Sequence, residues 1–144
     1  MTAERDGNGL TRHQQHVVAH VLNCELLGIT NIRSEVILSL DVPFVWSIAA
    51  DGSMDLGIPA EIADRLGLSE DETAQLTRES EELRSYDLAR DPTLFEQLPQ
   101  LSRVVEVTSP EFDDGFVTIS IECESGRVVI KGEAGITKAS VECK

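Results

Sequence analysis

PAEIADRLGLSEDETAQLTRESEELRSYDLARD, Pro59 to Asp91, is the stretch that decides the fold. It reads as helix, set between segments that read as strand. Pro59 suits a first helical turn, where its missing N–H is no loss. Ile62 and Leu66 are i,i+4 partners, and Gly67 is a C′ stop. Ser69 and Glu72 then form a capping box, in which each side chain satisfies the other residue's main-chain N–H. Glu70, Asp71 and Glu72 fall in the first turn, where negative charge complements the helix dipole, and Arg84 and Arg90 lie toward the other end. Pro92 stops the helix.

The second helix of this stretch has a thin apolar stripe of Leu76, Leu83 and Tyr86. A core helix carries an apolar arc of roughly 100° or more. This helix is therefore expected on the outside of the domain, mostly facing water. Its acids, Glu70, Asp71, Glu72, Glu79, Glu81 and Glu82, form the expected docking face for a basic partner. Glu72, Glu79 and Glu82 are expected to share one exposed side, turned partly away from Leu76 and Leu83. The plainer reading is a solvated face that serves solubility.

Upstream, a helix is expected from an N-cap at Thr11 to a stop near Gly28, with Leu10, Val17 and Val21 on its buried side. Ile32 to Leu40 alternates as a half-buried strand. Phe44, Trp46 and Ile48 alternate with Val45, Ser47 and Ala49 as a second strand. Asp51-Gly52-Ser53 is a turn, and Met54, Leu56 and Ile58 make a short strand leading into Pro59. Downstream, Asp91-Pro92-Thr93 starts a short helix through Leu98. Strands then follow at Arg103 to Thr108, Phe116 to Cys123, Arg127 to Lys131 and Ile136 to Val141. Ser125-Gly126 is read as a hairpin turn, and Gly132 and Gly135 bracket another. The last strand is expected at an edge, where Lys138 and Glu142 discourage edge-to-edge pairing.

Strands in runs, joined by tight turns, predict an α+β fold. The expectation is a largely antiparallel sheet of about five to seven strands, with the N-terminal helix and the acidic helical segment packed on it. Residues 10–144 are expected to form a single domain behind a flexible tail at residues 1–9.

The 144 residues carry 12 Lys and Arg against 26 Asp and Glu, a net charge of −14. That balance argues against direct nucleic-acid binding, which needs cations for the phosphates, and against anionic membranes. The three cysteines, Cys24, Cys123 and Cys143, are odd in number and lack zinc-ribbon spacing. They read as reduced thiols of a cytoplasmic protein, and MTAERDGNGL has no signal-peptide pattern.

His13, His16, His20 and Cys24 fall within an arc of about 80° if the first helix runs straight. Four groups along one straight helix do not surround a metal, so no metal site is expected. His20 and Cys24 lack an oxyanion donor and an orienting acid for thiol catalysis. Asp51, Ser53 and Asp55 lack the rest of a calcium loop, and Asp113-Asp114-Gly115 is turn chemistry. No cofactor motif is present, and no acid–base pair stands out.

Trp46, the only tryptophan, reads as core and, as the competing reading, as a partner hot spot. Taken together, these features predict a non-catalytic acidic protein-binding domain. The expected type is an inhibitor or immunity protein that neutralises a basic partner such as a toxin or nuclease. The alternatives are a small enzyme or ligand domain with a pocket between helix and sheet, a DNA mimic, and a structural homodimer.

Overall fold

A computed structural model describes residues 11–85, 93–108 and 110–143. Among these residues lie three helices and ten strands: α1 (Arg12–Val21), β1 (Leu26–Ile32), β2 (Glu35–Leu40), β3 (Val45–Ile48), β4 (Met54–Gly57), α2 (Pro59–Leu66), α3 (Glu70–Ser85), β5 (Glu96–Gln97), β6 (Val104–Val107), β7 (Glu111–Asp113), β8 (Phe116–Cys123), β9 (Gly126–Glu133) and β10 (Ile136–Cys143). The expected tail lies outside the described residues.

The α+β class and the antiparallel pairing are as read from the sequence. The strands divide between two sheets of five, where one sheet of five to seven was expected. The first has the order β4-β3-β2-β1-β5. The second has the order β10-β9-β8-β6, with β7 pairing on β8.

The first sheet is the middle layer. Val36, Leu38, Leu40, Trp46 and Ile48 face the second sheet, where Ile119, Ile121, Val128 and Ile130 meet them. Ile37 and Val45 face the opposite way, onto Ile62 and Ala63 of α2 and Leu76 and Leu83 of α3. A strand covered on both faces loses its apolar-polar alternation, and all four residues of β3 are buried. Each large aliphatic side chain so buried contributes about 1.5–3 kcal/mol.

Local signals set the helix ends. Thr11 and Gln14 form a capping box on α1, with Gln14 N to Thr11 Oγ1 at 3.1 Å and Thr11 N to Gln14 Oε1 at 2.9 Å. Gly67 closes α2 in the left-handed region at φ 70°, and Leu68 N reaches back to Ala63 O at 3.0 Å. Ser69 and Glu72 make the expected box on α3, at 3.0 and 3.1 Å.

Three elements differ from the sequence reading. First, α1 ends at Val21, and Leu26 to Gly28 belong to β1 instead of the helix. There Leu26 and Leu27 face opposite core clusters as neighbours in a strand do, and a register shift between Leu26 and Gly28 puts Leu26 and Ile29, three apart, on the same side. Second, the single strand expected over Ile32 to Leu40 is a hairpin, turning at Arg33 (φ 52°) and Ser34 (φ 66°). Third, residues 94–98 do not form a helix: Glu96–Gln97 adds β5 to the edge of β1. Asp91 and Pro92, the expected start of that helix, lie outside the described residues.

Polar bonds clamp the sandwich at two corners. On one side Val104 N donates to Cys24 O and Asn23 N to Val104 O, both at 2.9 Å. On the other, Asn31 Nδ2 donates to Thr137 O at 2.5 Å, and the fully buried Thr137 donates its hydroxyl to Ser34 O at 2.6 Å.

Candidate functional site

The outward side of α3 is the expected docking face, and packing decides which acids it shows. Leu76, Glu79, Ser80 and Leu83 are buried, which places Glu70, Asp71, Ala74, Arg78 and Glu81 toward solvent. Glu82 is half-buried and pairs with Arg78 at 3.5 Å. Glu72, also half-buried, holds Ser69 in the capping box and meets Arg33 at 3.3 Å. Hydrogen bonds from Ser69 and the charge of Arg33 keep its carboxyl below the usual range. Glu61 and Asp64 of α2 add exposed carboxylates beside this surface.

Two residues expected to meet a partner do not reach the surface. Glu79 is 2% exposed and Trp46 is 0% exposed. Glu79 lies on the same side of α3 as Leu76 and Leu83, about 60° and 40° away at 100° per residue. Its carboxylate accepts Leu94 N at 2.9 Å, Phe95 N at 3.1 Å, Gln75 Nε2 at 2.9 Å and Thr93 Oγ1 at 3.1 Å. Burial pushes this carboxyl up, but the bonds from Phe95, Gln75, Leu94 and Thr93 outweigh burial and hold it below its ordinary value. Glu79 therefore anchors the segment after α3 and is not part of the outer face.

A cleft of about 880 Å³ opens where the hairpin ends meet α1 and α2. Its rim includes Arg33 and Ser34, Asp51 and Ser53, Gly115, and Ala134 and Gly135. Arg65 lies at its centre of charge. Its guanidinium forms a fork with Glu35 at 2.8 and 3.1 Å, donates to Ser47 Oγ at 2.8 Å and meets Asp55 at 3.1 Å. The bond to Glu35 raises the pKa of Arg65 against the effect of burial, and Asp55 adds to the rise. His13 Nε2 stands 3.9 Å from the other oxygen of Asp55.

This constellation draws on positions 13, 35, 47, 55 and 65, and no spacing in the sequence signals it. Chemically it is a closed network. The carboxylates of Glu35 and Asp55 hold a guanidinium that would otherwise be the cleft's main anion site. Asp51 turns to its own loop and accepts both the hydroxyl and the N–H of Ser53, which lower its pKa.

The His13, His16, His20 and Cys24 stripe is broken. The rings of His16 and His20 meet at a tilt of 56° with centroids 4.4 Å apart, and His13 turns to the cleft. Cys24 lies beyond the end of α1, and its thiol meets the main-chain oxygen of His20 at 3.5 Å, not the ring. Among the described residues, no group of three or more His, Cys, Asp or Glu is arranged to hold a metal ion. No helix among them is long and apolar enough to cross a membrane.

None of the three cysteines is in a disulfide. Cys24 and Cys123 are buried and Cys143 is exposed. Burial pushes the Cys24 thiol up, and the neighbouring Asp41 pushes it further. Since the thiolate is the reactive species, alkylation of the native protein should modify Cys143 first and leave Cys24 and Cys123 until unfolding. Mass-mapped labelling in buffer and in denaturant checks this; Cys24 labelling as fast as Cys143 in buffer would contradict it.

No family model matches this chain, and neither a curated protein nor a solved structure matches it.

Proposed function

We propose that this protein is a non-catalytic acidic binding domain, of the inhibitor or immunity type, that docks a protein with a basic surface. The observation that carries the reading is the outward side of α3. Glu70, Asp71 and Glu81 are exposed there with no ion-pair partner among the described residues, and Glu61 and Asp64 extend the same layer. Their side chains hang on a helix held rigidly from behind by Leu76, Leu83 and Glu79. Fixed, uncompensated charge on a packed element steers an oppositely charged partner and sets its orientation. The cleft offers less support for a reacting site, because its cation and its anions already satisfy one another.

The test uses Glu70→Lys, Asp71→Lys and Glu81→Lys together. Reversals on an exposed face cost little stability, with a few tenths of a kcal/mol lost at the helix N-terminus. The partner is first captured from the host on tagged protein and identified by mass. Its association rate with the triple variant should then fall about tenfold or more at low salt, and the difference should shrink at high salt. Equal on-rates at low salt would reduce the acidity to a solubility device.

A further inference from the structure

The edge strand β10 carries an inference independent of α3, which packs on the first sheet while β10 borders the second. In β10, Ile136, Lys138, Ser140 and Glu142 lie opposite Glu133, Lys131, Val129 and Arg127 of β9. The carbonyl of Thr137 points away from β9, since it accepts Asn31 Nδ2. Antiparallel strands alternate between residues bonded to the neighbour and residues turned outward. The main-chain N–H and C=O of Ala139, Val141 and Cys143 therefore also face outward. Asn31 and Ser34 cover the start of this edge, whereas Ser140 to Cys143 are exposed, with Val141 at 37%.

An exposed row of unpaired amides is a template for another strand. We propose that its occupant is β10 of a second copy, paired antiparallel about a two-fold axis at Ser140. Charge selects this register. With the axis at Ser140, Lys138 lies opposite Glu142 of the second copy, and the reverse pair forms on the other side of the axis. An axis at Lys138 or at Glu142 would bring two like charges face to face. An axis at Ala139 sets Lys138 against Ser140, and one at Val141 sets Ser140 against Glu142, so neither makes an ion pair between these charges. The chosen register also sets Ala139 against Val141, both turned outward and able to exchange their main-chain bonds.

A second observation points the same way. Lys138 lies directly opposite Lys131 within the sheet, a like-charged pair that costs stability. Glu142 of the second copy would stand beside that pair. On one chain Glu142 already pairs with Arg127 across the strand; on two chains it would sit between that Arg127 and Lys138 of the second copy. Self-pairing joins the second sheets of the two copies and leaves α3 of each uncovered. A strand pair this short buries less than the roughly 1,200 Å² of stable interfaces, so the dimer is weak and is best trapped covalently.

Residues facing across the axis in a non-hydrogen-bonded pair have Cα atoms about 4.5 Å apart, inside the disulfide range. In a Cys143→Ser background, Ser140→Cys should form a covalent dimer on mild oxidation. It should do so about tenfold faster than Ser85→Cys, an exposed control on α3 that meets its copy only by collision. Adding Lys138→Glu turns two attractive pairs repulsive and should slow trapping about tenfold. Adding Glu142→Lys to that variant should restore it. Circular dichroism confirms that each variant is folded. Trapping no faster than the control would overturn the dimer, and trapping indifferent to the charge swap would overturn the register.

Discussion

Glu79→Ala should lower the unfolding free energy by about 3 kcal/mol, although glutamate on a helix this acidic reads as surface. The carboxylate takes the N–H groups of Leu94 and Phe95, the amide of Gln75 and the hydroxyl of Thr93. Removing it leaves the N–H of Phe95, a residue only 2% exposed, without its acceptor. An orphaned buried donor costs more than the net value of the bond it made. Glu81→Ala, two residues on and exposed on the opposite side of the helix, should stay within about 0.5 kcal/mol of wild type. Urea unfolding at neutral pH measures both, and equal stabilities would remove the anchor.

The anchor has a definite pH sign. The folded pKa of Glu79 lies below its ordinary value, so its ionised form contributes stability that is fully present above the unfolded pKa. That contribution is lost as pH falls through the folded pKa. Glu79→Gln lacks it throughout. The stability difference between wild type and Glu79→Gln should therefore be largest near neutrality and shrink toward about pH 3. A difference independent of pH would show that the charge plays no part.

Gly132→Ala should be the most damaging single methyl in the chain's second half, at about 3 kcal/mol. Gly132 lies within β9, not in the turn. A Cβ there would overlap the main-chain oxygen, carbonyl carbon and Cα of Ala50, which follows β3 in the first sheet. Its backbone angles suit alanine, so the whole cost is steric: main chain cannot rotate aside as a side chain can. Gly135 gives the contrast. It sits in the turn at φ 79° with open space around it, so Gly135→Ala carries only the left-handed penalty of about 1–2 kcal/mol. Thermal or urea unfolding ranks the pair, and a milder effect at Gly132 would mean that the sheets are not in contact there.

What the sequence determined by itself is local. The Ser69-Glu72 box, the Gly67 stop and Pro59 at the head of α2 each depend on residues within one turn, and all three hold. The alternation of Phe116 to Cys123 gave β8 its ends and its inward side, because one face of that strand meets the core and the other meets water. The acid-rich character of α3 was legible in the same way. Which of its acids face outward was not, because two leucines define a buried side without showing its width.

The tertiary structure decided the rest. The turn at Arg33 and Ser34 carries neither glycine nor asparagine, so only pairing of β1 with β2 forces positive φ there. Leu26 and Leu27 satisfy a helical pattern and a strand pattern alike, and the neighbouring strand resolves them. Gly132 looks like a turn glycine until the second sheet lies against Ala50. Glu79 looks exposed until Leu94 and Phe95 bring their N–H groups over α3. In each case the deciding contact joins residues far apart in the chain or on facing layers, and no local pattern records what the fold will set against a residue.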